Sequence, residues 1–155
     1  MIRTIDGFHL DDEGDWVAEL SCLHNQHVRH RPPIQERPWV TSEGGRAERL
    51  GSPIECPLCD RLEPPADLEL VRTAGPFDEE TLPPALRRAH VVAEGTWGVL
   101  RVLEGAVVFT IETTPPKSIR VSQGEEQPIP PDVPHFVRVD EPARLAIDFL
   151  VKPKH

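Results

Sequence analysis

The chain has 155 residues, with 26 acidic and 17 basic side chains and a formal net charge of -9. This charge excludes nonspecific binding to nucleic acid or anionic lipid as a main activity, because phosphate groups would repel the protein. No apolar run approaches the roughly 18–20 residues that span a bilayer, and the first residues lack the apolar core of a secretory signal. We therefore expect a soluble, cytoplasmic protein.

Composition divides the chain into two parts. Residues 1–60 hold all three cysteines and four of the seven histidines, whereas the second half is rich in β-favouring residues. Between them, residues 61–74 begin with an acidic, proline-rich stretch that suits a stiff, solvated connection. We predict a small domain over residues 1–60, a linker over 61–74 and a second domain over 75–155.

In chain order, the first half predicts a small β-ribbon. Residues 4–10 and 15–20 suit a hairpin, because the acidic turn between them ends in Gly14, which can take a positive φ. A third short strand includes residues 27–29. Ser42 is a candidate N-cap of a short helix. Few apolar residues accompany these elements, so we expect this half to need a further source of stability.

The second half alternates short strands with turns that are rich in glycine and proline. This pattern is typical of a β-sandwich or a small barrel. The predicted strands are residues 91–93, 99–103, 106–111, 117–121, 127–129, 135–139 and 144–151.

Cysteine and histidine spacing in the first half predicts a zinc site. Cys56 and Cys59 form a C-x2-C turn, and Cys22 with one nearby histidine completes a Cys3His set, which is typical of structural zinc. Zn²⁺ would also supply the folding free energy that the thin core lacks. His24 and His27 are both candidates for the histidine ligand, and we favour His24. The alternative is three buried or free thiols beside solvated histidines.

Several pieces of the first half resemble a small bacterial domain family of unknown function. The resemblance covers roughly residues 1–60 and implies the zinc-ribbon-like site but no activity. The pieces are Asp6-Gly7-Phe8-His9, Gly14-Asp15-Trp16-Val17-Ala18, the Cys22 to His30 segment, Arg37-Pro38-Trp39-Val40 and Cys56-x-x-Cys59.

Two histidines of the second half lie in motifs that resemble those of cupins. Gly124, Pro130 and Pro134-His135 resemble the second cupin motif, and the segment from Leu82 through His90 to Gly105 resembles a variant of the first. More narrowly, residues 75–151 resemble the cupin-like domain found ahead of bacterial tellurite-resistance methyltransferases, whose stand-alone relatives respond to nitrate or nitrosative stress. The resemblance implies a cupin-type β-barrel (a double-stranded β-helix). Because the chain stops at His155, we do not expect methyl transfer.

The usual cupin metal ligands are depleted. Val92 stands where a second histidine of the first motif would be, so His90 and His135 are the remaining ligands. Two imidazoles hold a divalent metal weakly, and a carboxylate is expected to complete the set. Asp148 matches an acidic position in the family's last strand, and Glu94 is the local alternative. Strand alternation places Asp148 opposite the more apolar face, which weakens its assignment.

Three functions remain open from the sequence. The favoured one is a metal-binding stress-response protein without turnover, in which the zinc site stabilises the chain and a barrel pocket binds a small molecule or oxyanion. The second is a cupin-type oxygenase that holds Fe²⁺ or another divalent metal in the barrel. The third is an interaction module that uses the basic residues 27–31. The fold class is mostly β in each case, and we expect a homodimer, because an exposed sheet edge or apolar face invites pairing.

Overall fold

The computed structural model describes residues 1–154. It divides the chain into two compact units, residues 1–65 (unit 1) and the part that begins at Ala66 (unit 2). Both units are mostly β, as predicted. No helix among the described residues has the length and apolar character needed to cross a membrane.

Unit 1 is built on one antiparallel sheet with the strand order β3-β2-β1-β4. Its predicted hairpin is confirmed, and Oδ1 of Asp11 closes the turn by accepting backbone hydrogen bonds from Glu13 and Asp15, each 2.9 Å long. The strands are β1 (Ile2–Leu10), β2 (Trp16–Leu20), β3 (Asn25–His27) and β4 (Pro53–Glu55), and the helices are α1 (Glu43–Arg49), α2 (Pro57–Asp60) and a 3-10 helix (Pro38–Thr41).

Unit 2 contains two sheets, with the strand orders β5-β11-β6-β9 and β10-β7-β8. Every pairing within them is antiparallel. The strands are β5 (Glu69–Asp78), β6 (Thr96–Glu104), β7 (Ala106–Ile111), β8 (Lys117–Ser122), β9 (Glu126–Ile129), β10 (His135–Arg138) and β11 (Arg144–Val151), and a 3-10 helix spans Pro84–Arg87.

The core of unit 2 lies on the three central strands β6, β7 and β11. Side chains alternate between the two faces of a strand, and both faces are partly buried here, because residues 97–100 of β6 and 145–147 of β11 are buried in succession. The largest fully buried apolar side chains are Trp97, Leu100, Phe109, Ile111, Ile129 and Leu145. This core is larger than that of unit 1, where the buried apolar side chains other than cysteine are Ile5, Val17, Ala18, Leu20, Val28, Val40 and Leu62.

Two elements of unit 2 differ from the prediction. β5 begins at Glu69, so residues 69–74 of the expected linker are strand residues paired with β11. β5 lies at the sheet edge and is mostly exposed, and an exposed edge strand carries little of the alternation by which strands are recognised. Residues 91–93 form no strand. His90, just before them, makes only an isolated bridge with His135.

Candidate functional site

Four potential metal ligands come together in unit 1. Cys22, His24, Cys56 and Cys59 place their Sγ and Nδ1 atoms within 4.8 Å of one another. In residues 1–154, this Cys3His cluster is the one group of three or more His, Cys, Asp or Glu side chains with such a spacing. All four side chains are at most 4% exposed.

A tight turn between β2 and β3 presents the first two members of the cluster. The backbone N–H of Leu20 donates to the carbonyl of His24, and the N–H of Leu23 donates to the carbonyl of Leu20. Leu23 takes a φ of 73°, a left-handed conformation that a leucine adopts only where its surroundings hold it. This turn directs Cys22 and His24 to the same side.

The short helix α2 presents the other two members. Cys56 immediately precedes the helix, and Pro57 occupies the first helical position, where the missing N–H costs nothing. Cys59 follows three residues later, which brings the two sulfurs to one side of the turn. The sequence spacing was therefore sufficient to predict this half of the cluster.

The distances within the cluster suit coordination and exclude a disulfide. Nδ1 of His24 lies 3.2 Å from Sγ of Cys22, 3.4 Å from Sγ of Cys56 and 3.6 Å from Sγ of Cys59. The sulfurs of Cys22 and Cys56 are 3.8 Å apart, and none of the three cysteines forms a disulfide bond. A disulfide bond is about 2.05 Å long. The cluster could therefore hold a metal ion.

The backbone of unit 1 fixes which nitrogen of His24 faces the sulfurs. Nε2 of His24 lies 2.7 Å from the carbonyl oxygen of Glu63. Because a carbonyl only accepts hydrogen bonds, Nε2 carries the proton and Nδ1 presents its lone pair to the cluster. A metal-ligating histidine is typically oriented in this way by a partner on its other nitrogen.

Arg3 is a part of this site that the sequence analysis missed. Its side chain is only 6% exposed and belongs to β1, opposite Ile54 of β4. A hydrogen bond from the Cys22 thiol lowers the pKa of Cys59 to about 4 and the positive charge of Arg3 contributes to this shift, although burial opposes it. A basic residue near the start of a strand is common on protein surfaces, so only the pairing with β4 could have shown its position beside the cysteines.

His27, the other histidine candidate, lies outside the cluster. Its ring is 49% exposed, and its Nε2 contacts Oδ2 of Asp11 at 2.9 Å. The structure therefore groups His24, and not His27, with the three cysteines.

The neighbouring basic segment is engaged within unit 1. Arg29 and Arg31 both approach Oδ2 of Asp15, at 3.1 and 3.5 Å. The guanidinium of Arg46 lies 3.7 Å above the ring of Trp16. These contacts neutralise part of the charge that an interaction module would use.

In unit 2, His90 and His135 lie side by side. Each donates its backbone N–H to the other's carbonyl, and their ring centroids are 5.5 Å apart in an edge-to-face arrangement. His135 is 1% exposed, and this burial lowers its pKa to about 4, although a hydrogen bond to the carbonyl of Val133 partly opposes the effect. His135 is therefore a neutral imidazole near pH 7.

Asp148 does not join these histidines. Its carboxylate accepts hydrogen bonds from Nε and Nη2 of Arg101, at 2.7 and 3.2 Å, and from Oγ1 of Thr73, at 2.7 Å. Within residues 1–154, neither Asp148 nor Glu94 forms a three-donor group with His90 and His135. The predicted set does not fit Fe²⁺, because strand alternation directs Asp148 away from the face that Ile147 and Phe149 share.

A cavity of about 320 Å³ lies in unit 2 beside His90. Its walls include Val71 and Arg72 of β5, Val92 of the following loop, Thr96 at the start of β6, and Phe149 of β11. A pocket in this half was predicted from the sequence, but these wall residues were not. β5 was not predicted as a strand, and it contributes Arg72, the charged residue of the cavity wall.

Family models match both parts of the chain. Residues 6–63 match a family described as "Protein of unknown function (DUF3565)", and residues 72–147 match the TehB-like domain. No curated protein matches the chain significantly. The resemblance of the N-terminal part to a family of unknown function and that of the C-terminal part to a tellurite-resistance-related domain are thus confirmed, whereas the zinc-ribbon-like and cupin-like features stay predictions.

Solved structures share the fold at low sequence identity. A protein from E. coli strain K12 aligns with a TM-score of 0.54 and 22% identity, over 58% of this chain and 96% of its own. TehB from Haemophilus influenzae aligns with a TM-score of 0.51 and 21% identity, over 56% of this chain but only 32% of its own. These alignments show the fold alone. The chain therefore combines an N-terminal part that matches DUF3565 with a C-terminal part that matches the TehB-like domain.

Proposed function

We propose that the protein is a ligand-binding, tellurite-resistance-related stress protein without catalytic turnover. Zinc stabilises unit 1, and a cupin-type barrel in unit 2 binds a small molecule or an oxyanion. The geometry of the Cys3His cluster carries the metal part of this proposal. The TehB-like match over residues 72–147 and the cavity beside His90 support the binding part.

The cluster has the dimensions of a tetrahedral zinc site. Zn–S bonds of about 2.3 Å and a Zn–N bond of about 2.1 Å, at tetrahedral angles, separate two sulfurs by about 3.8 Å and a sulfur from the nitrogen by about 3.6 Å. The distance between the sulfurs of Cys22 and Cys56 is 3.8 Å, and Nδ1 of His24 lies 3.2 to 3.6 Å from the three sulfurs. Three thiolates and one imidazole are also a donor set that zinc prefers.

The zinc site is structural in this proposal. Four protein donors fill a tetrahedral ion completely, whereas catalytic zinc keeps one position open for water or substrate. Three thiolates and Zn²⁺ carry a net charge of about -1, and the buried guanidinium of Arg3 offsets it. A neutral, closed and buried site has no coordination position for chemistry.

Ligand binding without turnover is favoured over the oxygenase alternative. An Fe²⁺ oxygenase needs a third protein ligand beside two histidines. The carboxylate of Asp148 is held by Arg101 and Thr73. His90 in this proposal lines the binding pocket, and His135 holds it in place through their backbone bridge.

Two measurements on the full-length protein test the proposal. Elemental analysis after purification without chelators or histidine tags is expected to give about one zinc per chain. A titration followed by ¹H–¹⁵N NMR, with tellurite, phosphate and small organic acids, is expected to shift resonances of unit 2 for at least one ligand. Zinc well below half an equivalent, no shift with any ligand, or oxygen uptake by the Fe²⁺-loaded protein would contradict it.

A further inference from the structure

We propose that the cavity beside His90 binds a small organic carboxylate, with its anionic group held by Arg72 and His90 and its apolar part against Val71, Val92 and Phe149. This inference rests on the proposed function in one respect, which is that unit 2 binds a small ligand. It adds the class of that ligand and the residues that recognise it.

Arg72 supplies an available positive charge at the cavity. Its guanidinium lies 4.3 Å from the centre of the Phe149 ring, which holds the planar group against the wall. Among residues 1–154, no carboxylate lies within ion-pair distance of Arg72. Two other arginines of unit 2 are already paired, Arg101 with Asp148 and Arg120 with Glu141. A guanidinium at a cavity wall without an acidic partner favours an anionic ligand.

His90 supplies a hydrogen-bonding atom at the same cavity. Its Nδ1 is buried and has no protein hydrogen-bond partner within the described part of the chain. Buried polar atoms are nearly always paired in folded proteins, because an unpaired one gives up the hydrogen bond it makes with water. The backbone bridge to His135 fixes the position of His90. The ring of His90 is half-buried and lines the cavity, so a small shift of the ring would let a ligand carboxylate accept a hydrogen bond from this nitrogen.

The remaining walls require an apolar group on the ligand. Val71 is 55% exposed, and Val92 and Phe149 line the same space. A bare inorganic oxyanion would satisfy the charge but would leave these walls in water, whereas a carboxylate with a ring or short branched chain would cover them. The volume of about 320 Å³ lies at the small end of the roughly 300–1,000 Å³ range of ligand sites.

The overall charge of the protein makes this local arrangement selective. With a net charge of -9, the chain as a whole repels anions. Anion binding to unit 2 therefore depends on a site where a cation is held close to the ligand. Arg72, stacked on Phe149, meets that condition.

The experiment compares benzoate with benzamide, which has nearly the same shape but no charge. Isothermal titration of the full-length, metal-loaded protein is expected to show benzoate binding at least tenfold more tightly. Arg72→Gln is expected to weaken benzoate binding about tenfold or more, which corresponds to about 1.4 kcal/mol. Arg120→Gln removes the same charge at an exposed site away from the cavity and is expected to leave the affinity unchanged.

NMR gives a second readout that does not depend on affinity. Benzoate is expected to shift the resonances of Val92, Thr96 and Phe149, and His90→Leu is expected to bind benzoate several-fold more weakly while its spectrum shows a folded unit 2. Equal affinity for benzoate and benzamide, or equal affinity of Arg72→Gln and Arg120→Gln for benzoate, would overturn the inference. Binding of tellurite or phosphate that does not depend on Arg72 would overturn it while leaving the proposed function intact. If none of the tested compounds binds to unit 2, both the inference and the proposed function are overturned.

Discussion

His24 and His27 are three residues apart, yet they occupy different chemical environments. His24 is 4% exposed, with Nε2 tied to Glu63 and Nδ1 facing three sulfurs. His27 is 49% exposed and contacts Asp11. We expect His24→Ala to lose most of its zinc, because a three-thiolate set leaves one position to water, whereas His27→Ala keeps about one equivalent. Elemental analysis of the two variants checks this, and equal zinc content would contradict the assignment.

Arg3 gives a second prediction at the scale of single residues. In the proposed zinc site, its charge would offset the net negative charge of three thiolates around Zn²⁺. Removing it with Arg3→Met is expected to weaken zinc binding roughly tenfold or more, since charge-assisted contacts are about twice as strong as neutral ones. Arg3→Lys, which keeps the charge but not the planar fork, is expected to restore part of the affinity. Competition with a chromogenic chelator measures both. An Arg3→Met protein with unchanged affinity would remove Arg3 from the site.

His135 makes the stability of unit 2 depend on pH. Its pKa falls from 6.5 to about 4 on folding, chiefly because the ring is buried. Between these values the unfolded chain binds more protons, so the free energy of unfolding decreases as the pH is lowered. At about 1.4 kcal/mol per pKa unit, the loss approaches about 3 kcal/mol near pH 4, and the contribution is complete above pH 6.5.

Two measurements test this pH dependence. The ring proton resonances of His135 are expected to show no titration above pH 5, roughly one unit above the folded pKa. Urea unfolding of unit 2 is expected to depend less on pH in His135→Gln than in the wild type. A His135 ring that titrates near its ordinary pKa would show that burial does not exclude the proton.

Some residues of the candidate sites could be predicted from the sequence and others could not. Cys22, Cys56 and Cys59 were predictable because thiolates at short, turn-like spacing have few other uses in such a chain. Arg3 and Arg72 were not predictable, since each owes its role to a neighbour on another strand. Asp148 was assigned by resemblance, while the alternation of β11 already indicated that it lay on the other face.

At the scale of elements, α1 offers a matched pair of glycines. Ser42 accepts a hydrogen bond from the N–H of Gly45, which confirms the predicted N-cap. A Cβ on Gly44 would meet nothing, whereas one on Gly45 would collide with the carbonyl oxygen of Trp39. We expect Gly44→Ala to raise the stability of unit 1 by up to about 1 kcal/mol and Gly45→Ala to lower it. Thermal unfolding of both variants gives the sign, and a stabilising Gly45→Ala would contradict the packing.

The strands show where the local residue pattern is sufficient to predict a strand and its bounds. Residues 106–111 and 144–151 alternate or concentrate apolar residues strongly, and both strands were predicted with their observed bounds. β5 was missed because its residues are mostly exposed and its hydrogen bonds go to β11, which is far away in sequence. Residues 91–93 have β-favouring side chains, but only an isolated bridge forms beside them. Whether a neighbouring strand was present to pair with, and not the β-propensity of the residues, determined that β5 is a strand and that residues 91–93 are not.

At the scale of the whole molecule, the two units draw their stability from different sources. Unit 2 buries two aromatic side chains, Trp97 and Phe109, within a large apolar core. The described part of unit 1 buries no aromatic side chain and only a few aliphatic ones. A core of that size is marginal without a metal or another cross-link. We therefore expect unit 1 to depend on a metal ion in its Cys3His cluster, whereas residues 66–154 contain no such cluster.

Metal removal tests this difference in the full chain. A strong zinc chelator is expected to broaden or collapse the NMR resonances of residues 1–65 while those of unit 2 keep their folded positions. The same chelator saturated with zinc is the control. Re-addition of Zn²⁺ is expected to restore the spectrum. Loss of both sets of resonances would show that the units do not have separate sources of stability.

The burial of all four donors also governs how fast the ion can leave. Because none of them is more than 4% exposed, a chelator cannot touch the cluster while unit 1 stays closed. Release must wait for a local opening, and such openings occur at a frequency set by the protein. Above a threshold concentration, more chelator therefore cannot hasten release. The lifetime of a bound ion is then set by the rate at which the turn at Leu23 and the helix α2 separate.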